Sequence, residues 1–564
     1  MDKRIRPEKV DTMKDIVINS FYGYSTKTAI IEKINGESIE FSYNRLRKDI
    51  LTFGTALYET YKIRNKKIAV IGENSYKWYV SYMATVCGLG IIVPLDKELP
   101  SEEIVGLINR ADCDVIIYSK KKKEKIHKIK DQLKKDIMYI NMEIDEHNKE
   151  EYSFDKLIQE GDALMDLGKK EYRYLDVDVD AFSILLFTSG TTSKSKGVML
   201  SQKNIMANVA AAKDIYTDIL SQSFLSFLPM HHTLEFSGTY TAVLASGGTV
   251  IVCEGLKYII SNLNEFRPDG FFAVPLLLDN IKSKIEKSIA KQGKTKLISL
   301  AIKFSNVLRF FNIDIRRKLF KQIHETFGKR LKYLIVGGAP ISKETIIFLE
   351  DIGFEVFQGY GLTETAPLIA ITPLTLRTIG SVGKPIKDVE VKIAGDKDEG
   401  EIMAKGPNVM LGYYDNKEET DKVLKDGWFY TGDIGRFDIN GNLFISGRTK
   451  NVIVTANGKN IYPEELEFLI NKIDYVSESL VYGKGDIKDP EIAVKVRVDY
   501  EYLKENKIED LSDENIHKML LEEIKKINKK LVLYKYIKSV EIKKDEFIKT
   551  TTMKIKRNAE IKNK

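Results

Sequence analysis

Ten consecutive residues, Thr188 to Gly197, carry only hydroxyls, glycines and lysines: T-S-G-T-T-S-K-S-K-G. A loop of this composition can wrap a polyphosphate. Gly190 and Gly197 let the backbone approach closely and turn its N–H groups inward, Thr188, Ser189, Thr191 and Thr192 add donors, and Lys194 and Lys196 bring positive charge. The same composition also suits a solvated turn, and the loop alone does not separate the two readings. It is not the nucleoside-triphosphatase pattern G-x-x-x-x-G-K-[ST], which from Gly190 would require glycine at position 195, where this chain has serine.

The elements around the loop must hold it. An apolar run from Ala181 to Phe187 precedes it and Val198-Met199-Leu200 follows, which predicts a buried strand, a polar loop and a second strand. From Thr28 short apolar runs alternate with amphipathic stretches: Thr28 to Glu32, Tyr43 to Tyr61, Lys67 to Ile71, Tyr76 to Cys87, Gly90 to Pro94, Ser101 to Ala111, Val115 to Tyr118. This spacing predicts βαβ units and a parallel, doubly wound sheet. The weakly patterned stretch Lys120 to Tyr174 predicts surface helices and loops. A second βα series is read from Phe224 to Leu228, Thr239 to Ala245, Thr249 to Val252 and Gly270 to Val274, and strand patterns return at Leu331 to Val336 and Glu355 to Phe357.

Between Leu276 and Gly328 the pattern is helical. Leu297, Leu300, Ala301, Phe304, Val307, Leu308 and Phe311 form an apolar stripe among Lys303, Arg309, Arg316, Arg317 and Lys318. Core packing is the first reading of that stripe, and a membrane-surface role is the second. Val389 to Ile445 is β-rich, and beyond about Lys450 the chain becomes a compact α+β set. The domains expected are therefore 1–449 and 450–564.

A chain of 564 residues is too long for one core. With 43% hydrophobic and 30% charged residues it has an ordinary globular balance. A net charge of +7, with lysines and acids interspersed, indicates no dedicated nucleic-acid surface. Cys87, Cys113 and Cys253 have no metal or disulfide spacing and fit a reducing cytoplasm. No signal-type core or membrane span is read, so the expectation is a cytoplasmic protein, at most peripheral at a membrane.

Four later stretches give the loop a context: Gly359-Tyr360-Gly361-Leu362-Thr363-Glu364-Thr365, Tyr430-Thr431-Gly432-Asp433, Gly447-Arg448-Thr449-Lys450, and Thr550-Thr551-Thr552-Met553-Lys554-Ile555-Lys556-Arg557. With the loop, and in this order, they resemble the adenylate-forming superfamily of acyl-CoA synthetases, carrier-linked adenylation domains and luciferases. The resemblance implies an α/β fold, in which a large N-terminal domain with doubly wound sheets and a β-rich subdomain precedes a small mobile α+β domain. It implies carboxylate attack on the α-phosphate of ATP, then transfer of the acyl group to CoA. Ser193, Ser195, Met553 and Ile548 depart from the family's usual glycine, proline, glycine and proline.

By this resemblance Thr188, Ser189, Gly190, Thr191, Thr192 and Lys196 hold phosphates, and Glu364 with Thr363 serves the Mg²⁺ and the reaction. Gly338, Ala339, Gly359, Tyr360 and Gly361 lie near adenine, and Asp433 and Arg448 hold the ribose. Lys554 is the catalytic lysine, Lys450 the hinge, Gly458 the CoA path and His232 the gate to the acyl pocket. Taken outside this setting, Glu364 reads as a turn-capping glutamate, Gly458 as a loop glycine and His231-His232 as a packed pair. Adjacent histidines on an extended chain would face opposite ways, which argues against a two-ligand metal site.

The Leu276 to Gly328 insertion and the run from Val452 to Glu465 resemble the long-chain acyl-CoA synthetase branch, so a long-chain fatty acid is the expected substrate. Two alternatives stay open. One is an enzyme that loads a separate acyl carrier protein, and the other is a nucleotide-binding homologue without catalysis.

Overall fold

In the computed structural model the apolar run before the loop is a buried strand, Phe182–Thr188, and the chain returns antiparallel to it as Lys196–Ser201. The structure describes residues 10–188, 195–375, 377–395, 398–455, 459–486, 490–506, 508–549 and 555–562. Two compact units result. Among the described residues, one takes in the chain up to Thr188 together with Ser195–Val391 and Ala404–Phe429, and the other takes in Lys392–Met403 and everything from Tyr430.

The first unit contains two mixed sheets, each parallel in its middle. In the eight-stranded sheet, Phe182–Thr188, Gly90–Pro94, Lys66–Ile71, Val115–Tyr118, Met138–Asn141 and Tyr152–Ser153 run parallel, with Lys196–Ser201 and Gly412–Tyr413 antiparallel at one edge. In the nine-stranded sheet, Glu355–Gly361, Tyr333–Val336, Gly270–Ala273, Ser223–Ser226, Thr249–Val252 and Thr28–Ile34 run parallel between antiparallel edges.

Both faces of these sheets are covered, which is why their strands read as unbroken apolar runs. Ile68 and Val70 enter one core while Ala69 and Ile71 enter another, and Ile335 and Leu334 divide in the same way. The core that receives Ile68 also receives Ile335, so it takes one face of each sheet.

Three sequence expectations need correction. Met138–Asn141 and Tyr152–Ser153 extend the eight-stranded sheet inside the stretch read as helices and loops. They are too short to show a period. Thr239 to Ala245 is helical, within the wide-turned segment Leu234–Ala242 and the turn Val243–Ala245. This segment is buried around most of its circumference, so no polar face marks it as a helix. The insertion is helical as expected, with Pro275–Lys291 and Thr295–Phe310 as its main helices, but the stripe does not fill a core. Leu297, Leu300, Phe304, Val307 and Phe311 are exposed, while the core side is taken by Ile298, Ala301 and Ile302.

In the second unit, Val476–Lys484 pairs antiparallel with Glu491–Val498, which pairs parallel with Ser539–Ile542. Helices Pro463–Ile470 and Asp513–Asn528 supply Leu466, Ile470 and Leu520 to the core against Val481, Val494 and Val496. Among the described residues no helix is long and apolar enough to cross a membrane.

Candidate active site

Strand pairing fixes both stems of the hydroxyl-rich loop, because Thr188 and Lys196 are register partners. Ser189, Gly190, Thr191 and Thr192 lie outside the described residues. Arg110, in the last turn of helix Ser101–Ala111, anchors the returning stem by donating to the Ser195 carbonyl at 2.6 Å and the Tyr414 carbonyl at 3.1 Å.

From this stem Lys196 reaches Glu419, with Nζ 2.5 Å from Oε2, and sits 4.6 Å from the centre of the Tyr413 ring. The Tyr413 hydroxyl donates to Glu364 Oε1 at 2.9 Å. Two residues 168 positions apart in sequence, Lys196 and Glu364, thus share one tyrosine. Hydrogen bonds from Lys196 and Lys422 hold the Glu419 carboxyl down at about 2. Burial, reinforced by Glu364, pushes the Tyr413 phenol well above its ordinary range.

Hydrogen bonds within the protein hold the Thr363–Thr365 turn. The Leu362 N–H donates to Thr365 Oγ1 at 3.0 Å, that hydroxyl donates to the Pro367 carbonyl at 2.7 Å, and the Met410 N–H donates to the Glu364 carbonyl at 2.8 Å. Gly361 permits the return of the chain here, since a Cβ at this position would lie 1.7 Å from the Pro367 oxygen.

Gly338 and Ala339 follow strand Tyr333–Val336, while Gly359, Tyr360 and Gly361 end the neighbouring parallel strand, with Val336 and Gln358 in register. Ligands of open α/β sheets bind outside such carboxyl ends. Gly338 has φ +85°, a left-handed conformation that glycine adopts without strain. Beside these strand ends lies a small apolar cavity of about 40 Å³, lined by Tyr216, Leu234, Gly238, Phe272, Gly359 and Leu368 among others. Gly359 therefore belongs to both the cavity wall and the segment leading to Glu364.

His231 and His232 lie in a turn, not on an extended chain, and their rings touch at 4.1 Å between centres. The opposite-faces expectation fails for that reason. Burial, with Lys97 nearby, lowers His231 to about 3, so its ring is neutral and the 3.6 Å approach to Asp96 is not an ion pair. Behind them the helix buries Glu235, which accepts from Thr239 Oγ1 at 2.9 Å.

Burial raises the Glu235 carboxyl to about 8. Between its unfolded value, near 4.5, and 8 the folded state holds a proton that the unfolded chain has lost, so stability falls as pH rises through this window, by about 1.4 kcal/mol per unit at most. Glu235→Gln is expected to raise the melting temperature at pH values near 8 and leave it nearly unchanged at acidic pH. Parallel melting curves for both proteins across that range would overturn the assignment.

In the second unit, Asp433 and Arg448 are register partners on strands Trp428–Phe437 and Leu443–Arg448, with Arg448 Nε 2.9 Å from Asp433 Oδ1. Asp433 is buried and Arg448 half-exposed. The Asp433 N–H donates to Thr431 Oγ1 at 3.1 Å. Lys450 follows in an exposed turn, Thr449–Asn451. Gly458 and Lys554 lie outside the described residues. Next to Lys554, Ile555 bridges Lys549, and Arg557 pairs with Glu467 and donates to the Val481 carbonyl at 2.9 Å.

Tyr413, Glu419 and Arg110 were not anticipated from sequence. Each reaches the site through strand pairing or a long side chain from a distant segment, and no local pattern marks them.

A model of the family described as AMP-binding enzyme matches residues 19–414. The chain is 30% identical to long-chain-fatty-acid–CoA ligase 5 of Rattus norvegicus over 553 residues, covering 89% of this chain and 79% of that protein. It is 24% identical over 583 residues to the chloroplastic long-chain-fatty-acid–[acyl-carrier-protein] ligase AEE15 of Arabidopsis thaliana, covering 89% and 80%. Among solved structures, O-succinylbenzoate coenzyme A synthetase from Bacillus subtilis, in complex with ATP and magnesium ion, superposes with a TM-score of 0.70 at 20% identity, covering 96% of this chain and 98% of that one.

Proposed function

We propose, proceeding from the fact that this chain belongs to the AMP-binding enzyme family, that it is an ATP-dependent acyl-CoA synthetase acting on a long-chain fatty acid. In the first half-reaction an oxygen of the acid's carboxylate attacks the α-phosphorus of ATP, the bond to the β-phosphate oxygen breaks, and acyl-adenylate and pyrophosphate form. In the second, the CoA sulfur attacks the acyl carbonyl, AMP leaves with the C–O bonding pair, and the thiol proton passes to solvent. The observation that carries this reading is the joining of Lys196 to Glu364 through Tyr413.

Two anions must meet, so the residues assigned here supply charge and oriented donors to the phosphorus centre. Lys196 and the hydroxyl-rich loop bind phosphate oxygens, Tyr360 lies against adenine beside Gly338 and Ala339, and Asp433 accepts from the ribose hydroxyls with Arg448 holding it in place. Lys554 neutralises the reacting carboxylate and α-phosphate, Lys450 is the hinge of the C-terminal domain 450–564, Gly458 lines the pantetheine path and His232 borders the acyl pocket. Magnesium, when bound, offsets the triphosphate charge. A single carboxylate fixed by a tyrosine fits an ion that takes one or two carboxylates and fills its other positions with phosphate oxygens and water.

We place the enzyme in the cytoplasm, peripheral to a membrane. Cys87, Cys113 and Cys253 are free thiols, which suits a reducing compartment, and burial raises Cys87 and Cys113 to about 12 so that both stay protonated.

The test is pyrophosphate release from ATP and Mg²⁺ with acids from acetate to oleate, with CoA, without it, and with a purified acyl carrier protein in its place. Sustained release with palmitate and oleate only in the presence of CoA is expected. Turnover with the carrier protein alone would favour the second reading, which the similarity to the carrier-protein ligase supports. Faster use of acetate to octanoate would remove the long-chain assignment, and silence with every acid would remove catalysis altogether.

A further inference from the structure

Helix Thr295–Phe310 carries apolar residues on two sides. Ile298, Ala301 and Ile302 pack against the core, with Ser305 buried between the turns. Leu297, Leu300, Phe304, Val307 and Phe311 recur at alternating intervals of three and four, the spacing of one helix face, and stand 57% to 65% exposed. Phe310 and Ile313 extend the patch. At roughly 200 Å² each, its three phenylalanines alone expose about 400 Å². Patches of this size on soluble proteins mark interaction sites.

Charge says what covers it. From Lys287 to Ile313 there is no aspartate or glutamate, while Lys287, Lys291, Lys294, Lys296, Lys303 and Arg309 all carry positive charge. Lys296 and Lys303, seven residues apart, share one border of the apolar face. The preceding helix, Pro275–Lys291, sets Lys284, Lys287 and Lys291 on its own exposed side. A second copy of the chain would bring lysine against lysine across a two-fold axis, whereas an anionic lipid leaflet complements both features at once.

We propose that helix Thr295–Phe310 is an in-plane docking element for an anionic lipid surface. Its exposed apolar face enters the boundary between headgroups and acyl chains, and Lys296 and Lys303 extend along it to the headgroup phosphates. The proposal deepens the fatty-acid reading by naming where the enzyme meets the phase that holds its substrate, and it rests on that reading only for its purpose.

Binding of the full chain to vesicles of phosphatidylcholine, with and without phosphatidylglycerol, tests it in the absence of ATP and acid. The wild type is expected to bind the phosphatidylglycerol vesicles, and less at high salt. Leu300→Asp with Phe304→Asp should weaken binding at least about tenfold. Lys296→Glu with Lys303→Glu should abolish the preference for phosphatidylglycerol. Both double variants should keep the wild-type melting temperature and pyrophosphate release with a water-soluble acid. No vesicle binding by the wild type, equal binding by the variants, or a dimer that the same variants dissociate would overturn the proposal. A protein that binds vesicles yet activates no acid would instead sink the functional reading and leave this one standing.

Discussion

Lys554→Ala is expected to lower acyl-adenylate formation by about 10²–10³-fold while leaving thioester formation from synthetic acyl-adenylate and CoA nearly unchanged. The asymmetry follows from where charge is greatest. In the first half-reaction a carboxylate approaches a negatively charged phosphate, and loss of the cation proposed to neutralise them would expose the full repulsion. In the second the nucleophile attacks a neutral carbonyl carbon, and the negative charge that develops on the departing AMP phosphate meets no second anion. Pyrophosphate exchange measures the first step and absorbance of the thioester the second. An equal loss in both, with an unchanged melting temperature, would show that the lysine does not act on adenylation specifically.

Glu364→Gln should cost a similar factor in pyrophosphate release and raise the Mg²⁺ concentration needed for half-maximal rate, because the amide keeps the shape of the turn and loses the negative charge. Tyr413→Phe should cost less, roughly tenfold, since it removes one hydrogen bond to a charged group and leaves the carboxylate in place. A Glu364→Gln protein with the wild-type Mg²⁺ dependence would dismiss the glutamate as metal ligand, whatever its rate. The tyrosine variant discriminates further: an effect as large as that of Glu364→Gln would mean that the phenol does more than orient the carboxylate.

What the sequence made readable depended on whether a signal was local. The strand, loop and returning strand around Thr188 to Gly197 follow from a sharp change between apolar and hydroxyl residues, and the parallel sheets follow from unbroken apolar runs such as Ile68 to Ile71. The pairing of Asp433 with Arg448 joins two stretches that were already singled out. In contrast, Thr239 to Ala245 is buried on so many sides that strand and helix look alike. The stripe from Leu297 to Phe311 has the period of a helix, and period gives the spacing of a face without saying whether protein or solvent lies opposite. Ile298 and Ala301, each one position along from an exposed leucine, took the core side together with Ile302. Tyr413, Glu419 and Arg110 join the site across hundreds of residues or through side-chain reach alone, and a single sequence carries no mark of such meetings.

The turn that carries Glu364 bears on the thermodynamics of binding. Its carboxylate is held by Tyr413, its carbonyl accepts from the Met410 N–H, and the next residue is tied at both Leu362 and Pro367. A side chain already confined to one rotamer has little freedom left to lose when a cation and phosphates arrive. Loosening the turn by Thr365→Ala should therefore appear in calorimetry as a less favourable binding entropy for ATP and Mg²⁺, with the enthalpy of the final contacts largely retained. On the role proposed for Glu364, part of the affinity for nucleotide would be set during folding, far ahead of any encounter with it.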